Sequence, residues 1–391
     1  MIKIKKVERK GTGAIKYDGM KSRFGRDDLL PLWVADMDLP VAEPIQSAIL
    51  KRAQHPIYSY TLYEDSYFDS IIKWYKNEFD WDIEREWIVP EHGVVVSINL
   101  AIRAFSKKGD GILIQTPIYP PFTKAVNQQK RTVLENRLLF KNGETEVNWD
   151  DFRIKAKDAK MFLLCSPHNP STRAWSKDDL QKMIDICVAE DVIIVSDEIH
   201  SDFVFNQKHI PIGMIEKAKD ITITLHAPSK TFNIAGLNTS FVIIPNRKIR
   251  DAYIKEHSLT GLEHGNPFGL VAAQTAYTQG KDWLEDIKVQ LQENAGYVKE
   301  FLSTNIPEII PHKHDATFLI WLDCRALNLN DDKLIDLFVN HAKLALNSGI
   351  SFGEAGSGFM RLNIATDKNT LEEAMKRLDS AIKSYLGGRS L

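Results

Sequence analysis

Short, continuous apolar runs recur along the middle of the chain, each closed by polar residues and followed by a stretch of helical periodicity. They cover residues 111–115 before Thr116-Pro117, 161–165 before Ser166-Pro167, 192–195 before Ser196-Asp197, 221–225 before His226-Ala227-Pro228, and 239–244 before Pro245-Asn246. Runs of this length without in/out alternation suit strands covered on both faces. Between them, residues 177–189 place Leu180, Met183, Ile184 and Cys187 on one helical face. Strands alternating with helices predict a mainly parallel α/β sheet. The tail differs. It predicts a strand over 316–322, a helix from about 332 to 342, a Gly-rich segment at 351–358, a strand over 359–364 and a final amphipathic helix. That mix suggests a smaller α+β domain beginning near residue 290.

Composition narrows the function classes. The 391 residues carry 50 Lys plus Arg against 52 Asp plus Glu, a net charge of −2 with no dense basic block, which argues against nucleic-acid binding. No apolar stretch reaches the roughly 18 residues of a spanning helix, and the basic start has no apolar segment behind it, so neither a membrane nor secretion is expected. The three cysteines, Cys165, Cys187 and Cys324, form no CxxC pair and suggest neither a disulfide framework nor a metal site. A cytoplasmic protein is the expectation.

Open parallel sheets bind ligands beyond the carboxyl ends of their strands. The residues there are Gly93-Val94-Val95, Tyr119, His168-Asn169, Asp197-Glu198-Ile199-His200 and Ser229-Lys230, with no GxGxxG, P-loop or GxSxG among them. Taken alone, Lys230 reads as a solvated loop lysine and Asp197 as a helix N-cap. Together they suggest more. A partly desolvated lysine forms Schiff bases, and a carboxylate that keeps a pyridine nitrogen protonated is the companion that pyridoxal 5′-phosphate requires. Tyr119 offers a ring to stack, or merely packs in a Pro-rich turn. Asn169 and His200 are hydrogen-bond donors for a phenolic oxygen, or a turn residue and a helix-face histidine. Gly93 before a helix leaves the amides of Val94 and Val95 free for an anion, and Ser229 adds a hydroxyl. Arg361, inside an apolar strand, needs either an ion-pair partner or a ligand carboxylate.

These residues and their surroundings resemble the class I/II aminotransferase superfamily, and within it the MalY/PatB type of cystathionine β-lyase. The stretches that carry the resemblance are Leu32-Trp33-Val34-Ala35-Asp36-Met37-Asp38, His55-Pro56-Ile57-Tyr58-Ser59-Tyr60-Thr61, Gln115-Thr116-Pro117-Ile118-Tyr119, Ser166-Pro167-His168-Asn169-Pro170, Ser196-Asp197-Glu198-Ile199-His200, Ala227-Pro228-Ser229-Lys230-Thr231-Phe232-Asn233 and Arg361-Leu362-Asn363. The resemblance implies a fold-type I pyridoxal-phosphate enzyme with a mainly parallel seven-stranded sheet and a smaller α+β domain. Residues 46–288 would form the large domain and 289–391 the small one, which residues 1–45 would join. It implies α,β-elimination on S-substituted L-cysteines such as cystathionine, giving a thiol, pyruvate and ammonia. Lys230 would hold the cofactor and act as base, Asp197 pair with its ring nitrogen, Tyr119 stack on it, and Asn169 and His200 approach its oxygen. Val94, Val95 and Ser229 would hold its phosphate. Arg361, with Tyr119 and Asn169 beside it, would bind the substrate, and Tyr60 would reach into the partner subunit's site in a homodimer. Trp33, Tyr58 and residues 353–358 are candidates for the wall around the sulfur substituent. An aminotransferase and a cofactor-bearing regulatory protein are the alternative readings. Two positions depart from the family pattern: Asn238 stands where aminotransferases usually carry a phosphate-clamping arginine, and Thr172 where a glycine is usual. If that turn requires positive φ, Thr172 is strained.

Overall fold

The computed structural model describes residues 6–387. Its centre is a seven-stranded sheet made of β1 (Ile88–Glu91), β2 (Gly111–Thr116), β3 (Thr132–Arg137), β4 (Ala159–Cys165), β5 (Ile193–Asp197), β6 (Thr222–His226) and β7 (Ser240–Ile243). The order is β1-β7-β6-β5-β4-β2-β3, and β7 alone runs antiparallel to its neighbours. Every residue of β2 and β6 is buried because both faces are covered. Ile112, Ile114, Met161, Leu163 and Leu225 pack on one side with Ile98, Phe122 and Tyr253. Leu113, Phe162, Leu164 and Ile194 pack on the other with Phe152, Met183 and Ile184.

The helix Lys177–Ala189 forms as its pattern predicts, with Leu180, Met183, Ile184 and Cys187 buried. Ser176 and Asp179 close its first turn in a reciprocal capping box, which satisfies two otherwise orphaned amides. The helix Lys281–Asn305 runs unbroken through residues 288–289. Beyond it lies a four-stranded antiparallel sheet in the order Ile310–Pro311, Leu319–Asp323, Phe359–Asn363, Asn347–Ser348. Leu30–Pro31 pairs in parallel with Leu344–Ala345, so the N-terminal segment packs against this part of the chain.

Two tail elements differ from the expectation. The strand expected from 316 starts at Leu319, because Thr317 takes a left-handed φ of 69° that no extended strand accepts. The helix expected over 332–342 is α-helical only over Asp331–Asp336 and widens into a π-turn at Leu337–His341. Among the described residues no helix is long and apolar enough to cross a membrane, and no group of three or more His, Cys, Asp or Glu is placed to hold a metal.

Candidate active site

Beyond the carboxyl ends of the central strands, the structure gathers polar groups that burial makes expensive. Asp197 is the last residue of β5, and burial raises its carboxyl to about 7, opposed by the Ile199 amide at 3.1 Å and by the charges of His226 and Lys230. No α-helix begins at Asp197, so the N-cap reading falls away. Lys230 sits in the single helical turn Pro228–Thr231 after β6. Burial lowers its ammonium to about 8, the Asp36 and Asp197 carboxylates oppose the shift, and Arg361 adds to it. Its Nζ donates to Ala35 C=O at 2.6 Å.

Arg361 rises from the strand Phe359–Asn363 and is 3% exposed. Its Nη1 donates to Asn169 Oδ1 at 2.9 Å and its Nη2 to Trp33 C=O at 2.9 Å, while Nε is buried without a partner. Among the described residues no carboxylate pairs with it, which speaks against the structural ion-pair reading. Burial draws its pKa down to about 10, with Tyr119 opposing. The Phe352 ring lies 4.9 Å from the guanidinium. His200 is neutral, since burial and then the Lys230 and Arg361 charges hold its imidazole well below the usual range, and its Nδ1 has no partner. Its ring meets Phe318 edge-on at 5.5 Å.

Tyr119 stands at the start of the helix Pro120–Gln128, half-buried, its phenol pKa raised by burial despite the nearby Arg361. Val94 and Val95 open the helix Val94–Phe105 behind Gly93, whose φ of 148° admits no ordinary side chain. No side chain caps that helix start, which leaves its first amides without a side-chain partner. Ser229 lies beside Lys230 in the same turn. Tyr60 is not part of this buried group. It is 87% exposed and shares a surface recess with His92, Leu262 and His264.

A model of the class I and II aminotransferases matches residues 29–378, a span that contains every one of these residues. The chain belongs to this family. It is 38% identical over 382 residues to cystathionine β-lyase PatB of Bacillus subtilis (strain 168), covering 97% of this chain and 99% of that protein. To protein MalY of Escherichia coli (strain K12) it is 33% identical, covering 97% and 98%. Its fold matches cystalysin from Treponema denticola, a crystal structure containing pyridoxal 5′-phosphate, with a TM-score of 0.94, 35% identity and coverage of 98% and 100%.

For a class I and II aminotransferase family member, both departures have visible consequences. Asn238 is exposed and closes the turn Ala235–Leu237 in a left-handed conformation, so the position carries no cation. Thr172 does adopt φ of 64°, is fully buried, and donates from Oγ1 to Lys313 C=O at 3.0 Å. The site also includes Asn347 and Phe352, which the sequence did not single out, and it uses Trp33, a candidate wall residue, and Ala35 through their backbone. Trp33 and Ala35 contribute carbonyl oxygens, Asn347 contacts Arg361 Nη2 at 3.1 Å once its amide is oriented by its partners, and Phe352 lines the guanidinium. A backbone carbonyl has no residue-type signature, which is why these contacts leave no mark in the sequence.

Proposed function

We propose that this chain is a pyridoxal 5′-phosphate-dependent C–S β-lyase that eliminates the thiol from S-substituted L-cysteines such as cystathionine. One observation carries the reading: the half-buried Lys230 and the buried Asp197 and Arg361 occur in a chain 38% identical, over nearly its full length, to a cystathionine β-lyase. The residues fit the cofactor. Lys230 offers an amine whose lowered pKa favours covalent attachment, and Asp197 a buried carboxylate for a ring nitrogen. The uncapped amides of Val94 and Val95, with Ser229, suit a phosphate, and the unpartnered His200 Nδ1 and the amide of Asn169 are candidates to meet its oxygen. Bound there, the cofactor supplies an electron sink for the substrate carbanion.

The chain's own residues do the rest. Arg361, steadied by Asn169 and Trp33, holds the substrate α-carboxylate. Lys230 would move the Cα proton, a task its pKa near 8 matches. Tyr119 would offer its ring to the cofactor's ring. Loss of the β-thiolate would give the thiol, homocysteine from cystathionine, and the three-carbon enamine left behind would be released and hydrolysed by one water to pyruvate and ammonia.

An exposed apolar strip of Ile57, Tyr58, Tyr60, Leu62, Leu259 and Leu262 supports a homodimer in which Tyr60 enters the partner's site. Residues 1–45 and 289–391 would form the small domain against a large domain of 46–288, which the pairing of Leu30–Pro31 with Leu344–Ala345 supports. Three buried free thiols favour the cytoplasm. The deciding experiment is pyruvate release from L-cystathionine by cofactor-loaded protein without any 2-oxo acid, with Lys230→Ala as control. Stoichiometric pyruvate and thiol, lost in the variant, establishes the lyase. Amino transfer only on adding a 2-oxo acid would make the chain an aminotransferase instead.

A further inference from the structure

Two asparagines outside the reacting set grip the same irregular stretch of chain. Asn233, three residues after Lys230, accepts from the Met37 amide at 3.0 Å and donates to Met37 C=O at 3.1 Å and Leu39 C=O at 2.9 Å. Asn363, two residues after Arg361 and 1% exposed, donates to Val34 C=O at 2.6 Å and Asp36 C=O at 2.7 Å and accepts from the Ala365 amide at 2.7 Å. A side-chain amide has one oxygen and two N–H donors, and in both residues each of these groups is used. Residues 34–39 form no helix or strand, so their backbone groups need partners from elsewhere, and these amides supply them. On the outer side, Arg9 and the fully buried Lys16 pair with Asp36 and Asp38 and hold the stretch down. On the inner side, Trp33 and Ala35 touch Arg361 and Lys230.

We propose that Asn233 and Asn363 are positioning residues that lock residues 34–39 between the Lys230 turn and the Arg361 strand, and so fix the separation of the lysine from the carboxylate-binding arginine. The proposal rests on the roles assigned above to those two residues. An amino acid must meet both at once, and a displacement of about 1 Å in such a site costs on the order of 100-fold. Two independent side chains would act additively, whereas two ends of one clamp would not.

The test uses cofactor-loaded Asn233→Gly, Asn363→Ala and the double variant. Glycine keeps the left-handed φ of 57° found at Asn233. The affinity for L-alanine is read from the visible spectrum of the bound cofactor, and hydrogen exchange is followed over residues 34–39. Each single variant is expected to weaken L-alanine binding by roughly 10- to 100-fold, with cofactor still bound and exchange faster across the stretch. The double variant should be no worse than about threefold beyond the poorer single one, because releasing either end frees the clamp. Unchanged binding in both single variants, or losses that multiply in the double one, would overturn the proposal. If Asn363→Ala does not fold, Asn363→Ser takes its place in the same comparison. L-Alanine has no leaving group, so normal binding without pyruvate from cystathionine would sink the lyase reading and leave the clamp intact.

Discussion

Replacing Arg361 by Lys keeps the charge and removes the fork, and the structure says how much that should matter. Nη1 spends one hydrogen on Asn169 and Nη2 spends both of its hydrogens on Trp33 and Asn347, which leaves Nε and one Nη1 hydrogen for a substrate carboxylate. A lysine has three donors in all. If two stay with Asn169 and Trp33, one is left, and a two-point contact becomes a single one. A hydrogen bond to a charged group contributes about 1.5–3 kcal/mol, so carboxylate binding should weaken by roughly 10- to 150-fold. The loss should be confined to ligands with a carboxylate. Binding of L-alanine and of ethylamine to the cofactor-loaded protein, followed by visible absorbance, separates the cases. Arg361→Lys should weaken L-alanine by that factor and leave ethylamine nearly unchanged. Equal loss for both amines would mean that Arg361 serves the fold, and an unchanged ratio would mean that the carboxylate is held elsewhere.

Other outcomes follow from the same groups. Asp197, raised from 3.8 to about 7, binds a proton in the folded but not the unfolded chain between those values, so its contribution to stability falls as pH climbs through that window. Cofactor-free Asp197→Asn should therefore resist urea better than the parent at about pH 8, by up to roughly 4 kcal/mol, with the gain vanishing near pH 4; no gain at the higher pH refutes the shift. Thr172→Gly trades about 1–2 kcal/mol of relieved left-handed strain against about 1 kcal/mol for the lost bond to Lys313 C=O and about 0.5–1 kcal/mol of backbone entropy. Its thermal midpoint should barely move, and a loss above about 2 kcal/mol would show that φ of 64° carries little strain here. Mixing inactive Tyr60→Ala and Lys230→Ala subunits should restore activity if Tyr60 serves the partner's site, since hybrid dimers then hold one intact site; mixtures as inactive as their parts would confine Tyr60 to its own subunit.

What was legible in the sequence and what was not divides along physical lines. Asp197, Lys230 and Tyr119 could be singled out because each ends or follows a mainly apolar run, and such a run marks both a buried strand and the sheet end where ligands bind. Strand β3 was invisible for the opposite reason. It lies at the sheet edge, where Glu135 and Arg137 meet solvent, so its composition resembles a loop. Strand β1 is four residues long and contains Pro90, which an edge strand tolerates and an interior one would not. The late start of the strand at Leu319 depends on the φ of Thr317, a residue type that gives no hint of left-handed backbone. Asn233 and Asn363 look like ordinary polar residues next to a motif, and their meaning comes from a stretch nearly two hundred residues away from one and more than three hundred from the other.

The electrostatics of the site bear on which ligand it takes. Burial displaces Lys230, Asp197, Arg361 and His200 all toward their neutral forms; Asp36 and Asp197 partly offset the shift at Lys230 and His226 that at Asp197, but among the described residues none of the four forms an ion pair. Well-packed apolar residues in these positions would make a more stable protein. An arrangement that costs stability and serves no packing purpose is intelligible only through what binds to it. On the reading proposed above, the missing partners are a basic nitrogen for Asp197, a carbonyl for Lys230, a carboxylate for Arg361, and a phosphate for the amides of Val94 and Val95. No single metabolite of ordinary size supplies all four. A pyridine aldehyde phosphate together with an amino acid does, and it satisfies each group with the charge its surroundings lack. Other two-carboxylate ligands would leave Asp197 facing a like charge, and a nucleotide alone would leave Arg361 buried without its partner. The charge pattern therefore supports the proposed pairing of cofactor and amino acid in one site.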